Sequence, residues 1–243
     1  MTGYGQFCPV AQAAEVIAER WTPLVIRELL SGSHRFNEIQ RGVPLMSPAL
    51  LAKRLKTLQL CGIVERRSLE GGGHEYHLTQ AGEELRPWVE LMGVWAQRWV
   101  RRPVTPEEAD PAFLMWDMRR NINVGRLPDK RVVVRFDFRG APKGKRSWWL
   151  VLDRTEPPDL CLTDPGFDVA LTVRTDAVTM GSVWVGDLDL AGAIRSRLII
   201  LEGPSRLRRA FPSWLSLSPL TEVKSARRFD QQVSQADNLA PLF

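Results

Sequence analysis

Gly42-Val43-Pro44-Leu45-Met46-Ser47-Pro48-Ala49-Leu50-Leu51-Ala52-Lys53-Arg54-Leu55-Lys56-Thr57-Leu58 is the stretch whose reading decides the fold. It reads as a short turn, a capped helix start, and a helix with one apolar and one basic face. Ser47 is placed to accept from the free backbone donors of the helix start, and Pro48 fits the first helical position, where no amide hydrogen bond is lost. Leu51, Leu55 and Leu58 recur at helical spacing and predict an anchor on a core. Lys53 and Lys56 point away from that stripe. Arg54 beside them is assigned to the same surface, with a pairing inside the domain as the alternative. Such a helix can lie in the major groove of DNA. The small residues at its start, Ser47, Pro48 and Ala49, would approach base edges, and its cations would meet phosphates or bases.

Working outward, the flanks supply the rest of a recognisable order. Val10, Ala13, Ala14 and Ile17 predict a first amphipathic helix. Thr22-Pro23 repeats the cap-plus-proline start for a second helix, carried by Leu24, Val25, Leu29 and Leu30 and stopped at Gly32. Phe36 and Ile39 mark a short third helix ending near Gly42. The Ser47 helix ends near Cys61-Gly62. Residues 63–69 and 74–78 then read as two strands joined by Gly71-Gly72-Gly73. From Thr79 a further helix carries Leu85, Trp88, Val89, Met92, Trp95, Ala96 and Trp99 on one face. Helices, a hairpin, then a long helix is the order of a winged helix. Arg66 and Arg67 in the wing, His74 at its tip, and Arg35 at the start of the third helix are candidate contacts to the nucleic-acid backbone.

Charge supports that placement. The 243 residues carry 33 Lys/Arg and 28 Asp/Glu, a formal net charge of +5. Residues 1–103 hold 13 basic and 10 acidic side chains, but residues 41–67 hold six basic and one acidic, so the positive footprint is local to the proposed helix and wing. Hydrophobic residues make up 44%, enough for packed cores. Polar residues and Pro9 interrupt any leader-like apolar run, and no stretch approaches the length of a spanning helix, so a cytoplasmic protein without a membrane partner is expected. Cys8, Cys61 and Cys161 form a sparse, odd set, which argues for a reducing interior and against a disulfide framework.

Beyond Arg101-Arg102-Pro103-Val104 the pattern changes. Thr105-Pro106-Glu107-Glu108 matches a capping box and predicts a new helix. After Leu127, apolar runs at 132–136, 148–152, 160–162 and 169–173 read as strands, two helical pieces follow at 175–185 and 188–194, and 198–202 reads as a last strand. The expected organisation is a winged-helix domain over 1–102, a linker over 103–110, an α+β domain with a curved, mainly antiparallel sheet over 111–219, and a polar tail over 220–243.

The first segment resembles the HxlR family of winged-helix transcription regulators. The resemblance rests on Cys8-Pro9-Val10, Arg20-Trp21-Thr22, Arg27-Glu28-Leu29-Leu30, Arg35-Phe36-Asn37-Glu38-Ile39, Ser47-Pro48 with its leucines, Gly62-Ile63-Val64-Glu65-Arg66 and Tyr76-His77-Leu78-Thr79-Gln80-Ala81-Gly82. It implies a homodimer built from the first and last helices, with Val10, Ile17, Trp88, Met92, Trp95 and Trp99 as candidate interface residues, on a two-fold symmetric stretch of double-stranded DNA. Some relatives of this type sense oxidants or electrophiles through a cysteine near position 8, and a thiol ahead of a helix start favours the thiolate, so Cys8 is a candidate redox residue. Cys61 and Cys161, each in apolar sequence, are expected in cores. The C-terminal segment is similar to a sterol-carrier-protein-like domain through residues 168–173, 183–187 and 199–204. That implies a curved sheet flanked by helices and a small apolar ligand as partner, with Trp116, Trp149, Trp184, Phe211 and Trp214 as candidate pocket walls and Asp187 and Arg195 as its polar ends.

His74 and His77 fall on opposite faces of a strand, and no cluster has zinc spacing, so no metal is expected. There is no phosphate loop, dinucleotide fingerprint or nucleophile elbow, so neither a cofactor nor an enzymatic activity is expected. The function expected is a dimeric, sequence-specific DNA-binding regulator whose second domain answers to an apolar effector. Two alternatives stay open: a thiol switch at Cys8 with a purely structural second domain, and a lipid carrier whose winged helix serves protein contacts.

Overall fold

Proline and a capping side chain start several of the helices. The computed structural model describes residues 3–224 and residue 226. Helix α1 spans Pro9–Ile17, α2 Thr22–Leu30, α3 Phe36–Gly42 and α4 Pro48–Leu60. Strands β1 (Val64–Ser68) and β2 (His74–Leu78) form an antiparallel hairpin. The long helix expected from Thr79 is two pieces, α5 (Gln80–Glu83) and α6 (Arg86–Trp99). Pro87 explains the break: it has no amide hydrogen to continue a helix, and it sits in the first turn of α6, where none is needed.

The core of this part is built from Val25, Ile26, Leu29, Ile39, Val43, Met46, Leu51, Leu55 and Leu58, closed by Ile63 just before the hairpin and Val64 at its start. At roughly 1.5–3 kcal/mol for each fully buried leucine, the three leucines of α4 outweigh any preference of its lysines, so the lysine face is turned to solvent.

The capping box at Thr105 leads only to a turn. Helix α7 begins later, at Pro111–Arg120, where Asp110 Oδ1 accepts from the amide of Ala112 at 2.9 Å. A five-stranded sheet follows, with β3 at Val132–Arg139, β4 at Ser147–Leu152, β5 at Asp159–Cys161, β6 at Val169–Asp176 and β7 at Ile200–Glu202. Its order is β5-β4-β3-β6-β7, and only the β3–β6 pair is parallel. Helices α8 (Ala177–Trp184) and α9 (Leu190–Arg195) separate β6 from β7, and α10 (Ser205–Ala210) follows it. A second core, distinct from the first, gathers Met115, Met118, Val134, Phe136, Leu150, Leu171, Val173, Met180, Phe211 and Trp214.

The segment from 220 reads in the sequence as a loose tail. Its described start is not: Pro219–Glu222 forms a 3-10 turn, and the Leu220 side chain lies where a Cβ on Gly93 of α6 would meet it at 3.1 Å. Residue 225 and residues 227–243 of that expected tail lie outside the described residues. No described helix is long and apolar enough to cross a membrane.

Candidate nucleic-acid interface

The turn that enters α4 is tied down from behind. Gln40 Nε2 donates to the carbonyls of Val43 at 3.3 Å and Met46 at 2.6 Å. Ser47 then caps α4 as expected, its Oγ accepting from the amide of Leu50 at 3.3 Å. With the leucines inward, the exposed face of α4 carries Pro48, Ala49, Ala52, Lys53, Lys56 and Leu60. Positions 49, 53 and 56 stand one above another at helical spacing. Ala52, absent from the expected site, completes a strip of small residues beside the two lysines.

Arg54 does not join that strip. It is 4% exposed and paired with Glu19, whose carboxyl is held below its ordinary range chiefly by that hydrogen bond. The assignment of Arg54 to the DNA surface is therefore corrected. Position 54 falls three residues after Leu51, on the buried stripe, and a cation there needs a partner inside the fold.

The wing is held against the turn that enters α3. The amide of Tyr76 donates to the His34 carbonyl at 2.8 Å, and the rings of His34 and His77 stack with centroids 4.2 Å apart. Arg35 is exposed and lies 3.6 Å from the Glu75 carboxylate. The His77 ring, more than Arg35, holds that carboxylate below its ordinary range. Arg66 is exposed, whereas Arg67 is paired with Glu65 and so offers less free charge. Gly72 and Gly73 at the tip adopt φ of 86° and 89°, a left-handed backbone that glycine tolerates without cost, and exposed His74 follows them. Arg35, Lys53, Lys56, Arg66 and Arg67 are exposed cations at the start of α3, on α4 and on the wing, with Arg35 facing Glu75 and Arg67 held by Glu65.

A family model for HxlR-like helix-turn-helix proteins matches residues 16–103. The HTH-type transcriptional regulator YvaP of Bacillus subtilis is 35% identical over 112 residues, covering 45% of this chain and 95% of that protein. This chain belongs to the HxlR-like helix-turn-helix family. The regulator Rv3095 of Mycobacterium tuberculosis is 32% identical over 117 residues, 43% of this chain and 73% of that protein, and YodB of B. subtilis is 36% identical over 94 residues, 37% and 84%. The protein is a DNA-binding transcriptional regulator of the HxlR-like family, with a C-terminal part beyond the region that the family model matches.

The remaining expected residues of this HxlR-like regulator fall in three places. Val10, Met92, Trp95 and Trp99 are exposed, Trp95 at 55%, and Trp88 and Ile17 are half-buried. Cys8 is exposed and stands at the N-cap of α1 without a side-chain capping bond. Cys61, expected in a core, is instead exposed at the end of α4, because the helix stops there and Gly62 turns the chain. Cys161 is half-buried on β5, its thiol pushed up by burial and by Asp159. The expected pocket walls do not share one cavity. Phe211 and Trp214 pack edge to face, 5.9 Å apart, inside the second core. Trp184 donates to Asp117 at 2.7 Å, and Trp149 lies under Arg135. Asp187 pairs with Arg101 and Arg195 with Asp189, so each already has a counter-charge.

Trp116 is the exception, and it exposes a device that sequence reading missed. It sits where the winged helix meets α7, 1% exposed, and its Nε1 donates to Glu28 Oε2 at 3.4 Å. Glu28 is fully buried on α2. It accepts from Arg120 at 2.8 Å and from Arg27 at 2.9 Å, with Ser33 Oγ at 3.4 Å. Arg27 also donates to the Gly42 carbonyl at 2.9 Å, and a Cβ at Gly42 would fall inside the Glu28 carboxylate. One buried carboxylate therefore ties α2, the end of α3 and α7 together.

Proposed function

We propose that this HxlR-like regulator acts as a homodimer on a two-fold symmetric duplex, laying α4 in the major groove. The observation that carries this reading is the exposed face of α4, where small residues at the helix start adjoin Lys53 and Lys56 while the leucines are buried. Ser47, Pro48, Ala49 and Ala52 approach base edges. Lys53, Lys56, Arg35, Arg66 and the wing tip at His74 reach phosphates, with Arg67 contributing less because Glu65 holds it.

Dimerisation is supported by the apolar stripe of α6. Leu91, Met92, Trp95 and Trp99 are 43–65% exposed, alongside Val10 at 75% on α1. A soluble chain rarely leaves so continuous an apolar face uncovered. Residues 1–102 are then the DNA-binding and pairing domain, 103–110 the linker, and 111–219 a sterol-carrier-like, effector-answering domain in the cytoplasm. A mixed sheet with helices around an aromatic core supports the last assignment. Selection of duplexes from a random library by the full chain tests the reading. An enriched inverted repeat with half-sites about one helical turn apart is expected, and no enrichment at low salt would contradict it.

A thiol switch at Cys8 is a second reading, favoured by the exposure of that sulfur just ahead of α1. Loss of an oxidant response in Cys8→Ser is its expected mark, and an unaltered response ends it.

A further inference from the structure

Between the winged helix and the C-terminal domain lies a cleft of about 490 Å3, within the range that holds a small organic molecule. Its apolar surface comes from buried Trp148, half-buried Leu160 and Leu162, which is 53% exposed at the rim. Its opposite side is cationic. Arg41 lines it, its guanidinium 5.3 Å from the centre of the Trp116 ring, which also lines the cleft; Arg119, behind the lining, lies 4.3 Å from the same ring. Lys145 at the cleft is occupied by both oxygens of Asp110, at 3.0 and 2.9 Å, and Arg120 by Glu28 and Asp117. Arg41 and Arg119 have no carboxylate partner among the described residues, and Arg119 Nε is buried without a hydrogen-bond acceptor. Burial, with Arg120 and Arg41 nearby, pulls the Arg119 guanidinium below its ordinary value, although Glu38 and Asp159 act against this.

An unpaired cation beside an apolar wall, with a second close behind it, is complementary to one class of ligand. We propose that this cleft binds an amphipathic organic anion, its apolar body on Trp148 and Leu160 and its head group against Arg41, in the field of Arg119. Gln40 gives the site its consequence. The same side chain lines the cleft, keeps a buried and unpartnered Oε1, and tethers the Val43 and Met46 carbonyls ahead of α4. An occupant therefore bears on the turn that aims α4, and fills the ligand role on this interdomain surface rather than inside the second core. Binding itself stands apart from the DNA reading, and only its consequence rests on it.

The test titrates the full chain with 1-anilinonaphthalene-8-sulfonate, followed by fluorescence, and displaces it with decanoate or with neutral decanol. One saturable site per chain is expected, displaced at least tenfold better by decanoate. Arg41→Gln and Leu162→Glu, both at solvent-exposed positions that leave the cores intact, should each weaken it at least fivefold, and Arg206→Gln, outside the cleft, should not. No saturable binding, equal displacement by decanol, or unchanged binding in both cleft variants would overturn the proposal. Saturating decanoate should also change affinity for a duplex selected by the protein at least fivefold, within the usual span of allosteric coupling. A filled cleft with unchanged duplex affinity would refute the link through Gln40. A filled cleft in a chain that binds no duplex would uphold the site and sink the DNA reading instead.

Discussion

Replacing Glu28 by Gln removes a charge from a buried point where the two halves of the protein meet. The carboxylate is fully buried and takes bonds from Arg120 and Arg27, with Trp116 and Ser33 at longer range. Gln keeps the shape and one acceptor oxygen, but leaves Arg120, 11% exposed, with Asp117 as its one counter-charge among the described residues. Removing one partner of a buried pair costs about 3–5 kcal/mol, and the retained acceptor places Glu28→Gln near the lower end, about 3 kcal/mol. For a chain of this size that corresponds to a fall in Tm of roughly 6–12 °C. Urea unfolding followed by tryptophan fluorescence reads the loss. Arg120→Met removes the cation instead, and the double variant should lose less than the sum of the two singles, by about 0.5–3 kcal/mol. A Glu28→Gln protein within 1 kcal/mol of the parent, or strictly additive variants, would refute the buried bridge as a tie between the domains.

Three further outcomes follow from the same geometry. Gly42→Ala should cost about 1–3 kcal/mol, because its Cβ displaces the Glu28 carboxylate; an unchanged unfolding midpoint would contradict the close approach. Glu19 is ionised more readily in the folded state, so its contribution is complete above the ordinary carboxylate range and is lost as pH falls through its lowered folded value. With Glu19 43% exposed, water screens the pair to about 1 kcal/mol at most, and Glu19→Gln should flatten the acid limb of stability against pH by that amount. Trp95→Glu should leave the fold intact and raise the dimer dissociation constant at least tenfold in sedimentation equilibrium, and unchanged association would remove α6 from the interface.

What the sequence yielded depended on the range of the interaction. The Ser47 cap, the inward leucines of α4 and the glycine wing tip are local, and each is readable from spacing and residue type. The inward turn of Arg54 was also latent in the spacing, since 51, 54, 55 and 58 share one helical face. Its partner Glu19 lies 35 residues away, which no local pattern supplies. Glu28 is the stronger case. It falls three residues after Val25 on the buried stripe of α2, but the Arg120 that neutralises it is 92 residues further on. The cleft beside Trp116 was invisible for the same reason: an aromatic at helical spacing reads alike whether it faces a core or a neighbouring domain. The break before α6 could have been read from Pro87 alone.

The exposed lysines of α4 carry the central claim, and salt dependence measures them most directly. Fluorescence anisotropy of a duplex selected by the protein, titrated across a range of salt, gives the slope of log affinity against log salt. Lys53→Ala and Lys56→Ala should each lower the magnitude of that slope by about one per bound chain, because a phosphate that no lysine neutralises keeps its counterion. A slope unchanged in both variants would contradict the placement of α4 on DNA.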